Sequence, residues 1–252
     1  MKKEKIIYLD CFSGISGDMI LGALLHSGAE IDYLRSELAK LKINGLNIKV
    51  TAVCRSSITA YKVTIESDHD QPVRTLPVIK DILENSSLND RVIEKSLQVF
   101  SLLAHAEAEV HGKSIEKIHF HEVGGVDTIV DIAGTLICLD NLNISRIICS
   151  PLPLGRGFVY CSHGKLPLPA PAVCNLLKQI PTYGVNIQQE LVTPTGAAIT
   201  AVLSDSFSSM PAMSIEKVGY GAGDHVLPDN QPNLLRVFAG TSQQVNENQQ
   251  VV

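Results

Sequence analysis

The chain has 252 residues, 45% hydrophobic and 19% charged, with six Phe, six Tyr and no Trp. These are the proportions of an ordinary globular protein, long enough to bury a core in one large domain or two closely packed subdomains. The formal net charge of -5, with no basic run beyond Lys2, Lys3 and Lys5, excludes bulk nucleic-acid binding. Asp10 interrupts the first apolar run before a signal core or a membrane span can form, so no membrane role is expected and the cytoplasm is the expected location.

In chain order, Lys5 to Leu9 reads as a buried strand running into the polar, glycine-containing loop Asp10 to Asp18, after which Met19, Leu21, Leu24 and Leu25 recur at helical spacing. Ile31 to Leu41 is a second helix, followed by strands over Leu46–Val53 and Tyr61–Glu66. Thr75–Glu84 and Asp90–Val110 are helices, the longer one turning Val92, Leu97, Phe100, Leu103 and Ala104 inward. His119 to His121 reads as extended; Gly124 and Gly125 then turn the chain into a helix over Asp127–Leu142. A strand at Ile144–Cys149 precedes a proline-rich stretch, Pro151 to Pro171, expected as a long ordered loop or edge hairpin around Gly157–Cys161. Short helices follow at Ala172–Lys178 and Pro194–Leu203, then strands at Ile215–Val218 and Leu234–Phe238 on either side of a glycine-rich turn. The region 1–240 is thus expected as α/β, a mixed sheet with helices packed on it and polar loops gathered at one sheet edge, and 241–252 as a disordered polar tail.

Four constellations carry possible chemistry. In His119-Phe120-His121-Glu122, residues two apart on an extended segment present two imidazoles on one side, and Asp127 and Asp131 share a helical face one turn apart. Such a set can hold a metal ion, or it can equally be two surface histidines and a helix-capping aspartate. Asp10, Ser13, Gly14, Ser16, Gly17 and Asp18 follow a strand and open a helix, where backbone N–H groups can receive phosphate. Their spacing matches no standard phosphate loop, and a structural glycine turn capped by Asp18 is an equal alternative. His163 in its loop reads locally as an ordinary surface residue, although the prolines around His163, Gly164 and Lys165 would hold an imidazole and an ammonium in place, and Thr193 and Thr195 bracket a helix start that can bind an anion or simply be capped. Gly219, Gly221 and Gly223, before Asp224 and His225, read as a tight hairpin. The six cysteines are scattered, without a C-x-x-C pair, and read as free thiols; only Cys11 and Cys161 lie beside polar motif residues.

Taken in order, Tyr8 to Met19, His119 to Asp131, His163 to Ala172, Glu190 to Ala198 and Pro232 to Arg236 resemble the LarC family over about residues 5 to 238. The resemblance implies nickel insertion into pyridinium-3,5-bisthiocarboxylic acid mononucleotide, giving the nickel-pincer nucleotide of lactate racemase. The implied reaction is CTP-dependent, with Mg²⁺ or Mn²⁺ accompanying the CTP, and apo lactate racemase is the downstream recipient. Ligand chemistry then places Ni²⁺ on His119, His121, Asp127 and His163, and catalytic roles on Asp10, Asp18, Glu122 and Lys165. Ser13, Gly14, Ser16, Gly17, Thr193 and Thr195 would contact the nucleotide. Members of that family are usually longer, so completion by a C-terminal LarC domain or polypeptide is expected, and a homo-oligomer is compatible. A non-catalytic nickel-binding subunit or scaffold and a metal-dependent phosphohydrolase are the competing readings.

Overall fold

A computed structural model describes residues 4–67, 74–115, 118, 120, 125–161 and 164–243, except the side chain of residue 161. The chain starts as foreseen with strand β1 (Lys5–Asp10), whose Ile7 and Leu9 face a helical layer, and helix α1 (Gly17–His26). Eight of the ten α1 residues are buried, so α1 is apolar nearly all round and sits between the sheet and the other helices. Helix α2 (Ile31–Leu38) closes with a 3₁₀ turn over Ala39–Leu41, and the antiparallel pair β2 (Asn47–Arg55) and β3 (Ile58–Glu66) follows. Helix α3 (Leu76–Glu84) precedes α4 (Asp90–His111), which Asn89 caps at Arg91 N and Gly112 ends in the left-handed conformation. Helix α5 (Val126–Asn141) is almost wholly buried from Val126 to Leu139 and packs on α1, α2, α4 and a later helix, α7 (Pro194–Leu203).

The main sheet has seven strands in the order β2-β3-β10-β11-β1-β4-β9, where β4 is Arg146–Cys149, β9 Ser206–Phe207, β10 Met213–Ala222 and β11 Leu234–Ser242. Strands β1, β3, β4, β9 and β10 run one way and β2 and β11 the other, which makes the sheet mixed. This is the α/β class expected from the pattern of strands and helices.

Three differences from the sequence reading have physical causes. Gly219 and Gly221 lie inside β10, not in a turn, because α1 crosses that strand at backbone contact. A Cβ at Gly219 would meet Ala23 O at 2.0 Å, and one at Gly221 would meet Met19 O at 1.8 Å. Strand β11 runs on to Ser242, so Thr241 is not the start of a tail; beyond residue 243 the tail lies outside the described residues. The proline-rich stretch forms a hairpin of β6 (Gly157–Cys161) and β7 (Gly164–Leu168), a two-stranded sheet of its own and not an edge of the main one. A further short pair, β5 (Leu152–Leu154) with β8 (Thr182–Gly184), the short helix α6 (Pro171–Leu176) and a 3₁₀ turn over Pro228–Asn230 complete the described elements. No helix among the described residues is long and apolar enough to cross a membrane.

The glycine contacts make a sharp expectation for stability. Gly221→Ala should cost about 1–3 kcal/mol in urea unfolding, because α1 must lift from β10. Gly184→Ala, where a Cβ meets nothing within 4 Å, should stay within about 0.5 kcal/mol of the parent. Equal losses at the two positions would contradict the close helix-on-strand packing.

Candidate functional site

The start of α1 is clamped to the start of α7. Ile15 N donates to Leu191 O at 2.8 Å, and Thr193 N returns a bond to Ile15 O at 3.1 Å. Gly196 lies so close beneath that a Cβ there would meet Ile15 O at 2.5 Å. Gly14 turns the loop with φ +102° and presses against Leu191 O, a position closed to any side chain. Thr193 caps α7 by accepting from Gly196 N at 3.2 Å, and Pro194 occupies the first turn.

A cavity of about 570 Å³ opens where the N-termini of α1, α5 and α7 meet, beyond the carboxyl-end half of β3 and the end of β10. Crevices at the carboxyl ends of parallel strands are the usual ligand sites of α/β sheets. Ser16, Gly17 and Asp18 line it from α1, Asp127, Thr128 and Asp131 from α5, and Thr193, Pro194 and Thr195 from α7. Lys62 enters from β3, Asp224 from just past β10, Val159 and Leu166 from the β6–β7 hairpin, and Glu107 and His111 from the end of α4.

Asp131 is the unusual group. It is only 9% exposed, and its Oδ1 has no hydrogen-bond partner among the described residues. Gly17 makes room for it, since a Cβ there would lie 2.4 Å from Asp131 Oδ2. Burial pushes its carboxyl well above the usual carboxylate range, with the charges of Asp18 and Asp127 acting in the same sense and Lys62 opposing them. Asp18 accepts a hydrogen bond from Ser16 Oγ and pairs with Lys62 Nζ at 3.2 Å; Lys62 also reaches Asp224 Oδ2 at 2.6 Å. Burial disfavours the Lys62 ammonium, but its bond to Asp224 and the charge of Asp18 outweigh that and raise its pKa. Asp18 and Asp127 both sit in first helical turns, where the helix dipole favours a negative charge.

Of the residues singled out from sequence, Ser16, Gly17, Asp18, Asp127, Thr193 and Thr195 line this cavity, and Asp131 joins Asp127 as their four-residue spacing requires. Asp10, Ser13, Gly14 and Lys165 do not line it. Asp10 is held by Arg236, whose Nε lies 2.9 Å from its Oδ2, and Ser13 is buried and accepts from Gln231 at 3.0 Å. Lys165 is exposed, with its ammonium 4.4 Å from the Phe158 ring centroid and 5.7 Å from that of Tyr160. His119, His121, Glu122 and His163 lie outside the described residues. Cys11 is fully buried beside Cys149 with the sulfurs 3.6 Å apart, and burial raises its thiol pKa, so it is no exposed nucleophile. Lys62, Glu107 and His111 carried no sequence signal. Glu190 and Asp224 also line the cavity, and the local sequence pattern around them points to no chemistry.

Among the described residues no three His, Cys, Asp or Glu groups are close enough to hold a metal ion by themselves.

The buried carboxyl fixes a pH dependence. Its raised pKa means that the folded state holds the proton more tightly than the unfolded chain. Its contribution to stability is therefore complete below the ordinary carboxylate range and is lost as pH rises through the raised value. Asp131→Asn should accordingly melt a few degrees above the parent at pH 7, where 1 kcal/mol is about 2–4 °C for a chain of this size. The gap should close as pH falls toward about 4. A variant that melts lower than the parent at pH 7 would contradict this burial cost.

The family described as nickel insertion protein matches residues 7–252. A putative nickel insertion protein of Desulfotalea psychrophila is 50% identical over 248 residues, covering 98% of this chain and 64% of the relative. One of Geotalea uraniireducens is 50% identical over 238 residues, covering 94% of this chain and 61% of its own length. The pyridinium-3,5-bisthiocarboxylic acid mononucleotide nickel insertion protein of Acetivibrio thermocellus is 45% identical over 251 residues, covering 95% of this chain and 61% of the relative. The chain thus spans about three-fifths of the length of these curated relatives. No solved structure matches it. With the family pattern covering nearly all of the sequence and half the residues shared with two of these relatives, the chain belongs to the nickel insertion protein family.

Proposed function

We propose that this chain takes part in inserting Ni²⁺ into pyridinium-3,5-bisthiocarboxylic acid mononucleotide, the substrate named for the relatives of Acetivibrio thermocellus and Clostridium kluyveri, and that the cavity between α1, α5 and α7 is where ion and substrate meet. The observation that carries the proposal is Asp131, a carboxyl buried at the cavity whose Oδ1 has no hydrogen-bond partner among the described residues. A fold keeps such a group at a cost of several kcal/mol unless a cation or donor arrives to satisfy it.

In this reading Asp18, Asp127 and Asp131 supply oxygen ligands, His119, His121 and His163 supply imidazoles, and Glu122 acts beside them. Nickel accepts both donor types. Nickel is here the cargo of the reaction. The mononucleotide phosphate is attracted by the converging helix N-termini, above all α7, whose Thr195 N–H precedes the Gly196 N–H already engaged by Thr193. The acidic first turns of α1 and α5 would repel that phosphate unless a divalent ion lay between them, so cation and phosphate bind together. CTP as activating nucleotide, with Mg²⁺ or Mn²⁺, a C-terminal region that completes the site, and lactate racemase as recipient are the finer parts of the same proposal. The carboxylate set is chemically suited to Mg²⁺ or Mn²⁺ on a nucleotide.

The test is an insertion assay with Ni²⁺, CTP, Mg²⁺ and the dithiolated mononucleotide, read as the mass of the nickel-bearing product. It is run with this chain alone and with the remaining segment of a longer relative added. Asp18→Asn, Asp127→Asn and Asp131→Asn should each lower product formation, on the order of ten- to a hundredfold. Nickel binding without product in either arrangement would favour a nickel-binding subunit or scaffold. Phosphate release without nickel product would favour a phosphohydrolase.

A further inference from the structure

Among the described residues lining the cavity, Lys62 is the one lysine or arginine. Its ammonium lies between Asp18, at 3.2 Å, and Asp224, at 2.6 Å, with its side chain only 15% exposed. The two partners are unlike. Asp18 is 25% exposed and lies on the cavity wall with Asp127 and Asp131, whereas the Asp224 side chain is 80% exposed at the solvent side. Asp18 therefore belongs to the acidic group that a cation would seek, and Asp224 offers the ammonium a place to retreat. The four-carbon stem of lysine allows such a move without any backbone change.

We propose that Lys62 is a built-in counter-ion, which bridges Asp18 and Asp224 while the cavity is free and gives up Asp18, keeping Asp224, when a divalent ion enters, thereby keeping the ion loosely enough held to be handed over. The inference rests on the reading of this cavity as the nickel site. A divalent ion on Asp18 would lie within a few ångströms of the ammonium, and in a partly buried site like charges at that distance repel by several times RT. Lys62 thus neutralises Asp18 in the free protein, on the wall it shares with Asp127 and Asp131, and competes with the cargo for it. A protein that must release its metal gains from such competition, since tight holding would stop delivery. Asp224 takes a positioning role: it draws the ammonium outward and lowers the cost of displacement.

This arrangement gives opposite signs for the two halves of one ion pair, which a purely structural salt bridge would not. The experiment is titration of the chain with Ni²⁺ alone, by calorimetry and by chelator competition, on the parent, Lys62→Gln, Lys62→Arg, Asp224→Asn and Asp131→Asn. Lys62→Gln is expected to bind Ni²⁺ roughly tenfold more tightly and to release it more slowly to the chelator. Lys62→Arg should stay near the parent, and Asp224→Asn should bind two- to threefold more weakly because the ammonium is left with Asp18 alone. Unchanged or weaker binding by Lys62→Gln, with Asp131→Asn weakened, overturns the counter-ion role and leaves the cavity as the ion site. Binding that is insensitive to Asp131→Asn moves the ion elsewhere and overturns both readings.

Discussion

Burying a carboxyl oxygen without a hydrogen-bond partner costs free energy, and the meeting of α1 with α5 accepts that cost at Asp131, whose Oδ1 has no partner among the described residues. Gly17 is the means. Any side chain at that position would collide with the Asp131 carboxylate, so the first turn of α1 carries hydrogen where other helices carry a Cβ. Residue 131 also lies in the middle of a helix that is otherwise buried among Ile129, Val130, Ile132 and Ala133, where an apolar residue would be the stable choice. Stability alone does not explain the aspartate, whereas a ligand that repays its desolvation does.

The surrounding architecture follows from holding that helix start in place. Two backbone bonds tie residue 15 to the strand-like segment 191–193, and Gly14 and Gly196 permit the approach. On the opposite side Gly219 and Gly221 let α1 lie directly on β10. Held from both sides, α1 sets its first turn, with Asp18, against α5 and α7. Sites that rest on packed elements hold their geometry more precisely than sites on loops. Lys62 arrives from β3, a part of the sheet distant in sequence, and pairs with Asp18 beside the negative charge that the starts of α1 and α5 concentrate.

Much of this was legible beforehand, for identifiable reasons. The helices α4 and α5 announce themselves through long periodic apolar series and local punctuation, and the four-residue spacing of Asp127 and Asp131 already put both on one face. Asp18 was marked by its place after a strand and before a helix. What escaped was tertiary. The alternating glycines 219, 221 and 223 look like a turn because nothing local reveals that the backbone of α1 lies across the first two of them. Lys62 reads as one more polar residue on a half-exposed strand, and only the fold shows it between two carboxylates. Asp10 and Lys165 sit in polar motifs, yet their charges are taken up by Arg236 and by the rings of Phe158 and Tyr160. Strands β5, β8 and β9, of two or three residues each, are too short to leave a periodic pattern.

The central claim is that the carboxylates gathered by α1 and α5 receive the metal ion. It is tested most directly by crystals of the protein soaked in Ni²⁺ and measured at the nickel absorption edge. An anomalous peak within about 2.0–2.3 Å of an oxygen of Asp131, Asp18 or Asp127, or one water further out, is the result this account expects. A fully occupied nickel peak elsewhere on the protein, with the Asp131 carboxylate still unpartnered, would contradict it.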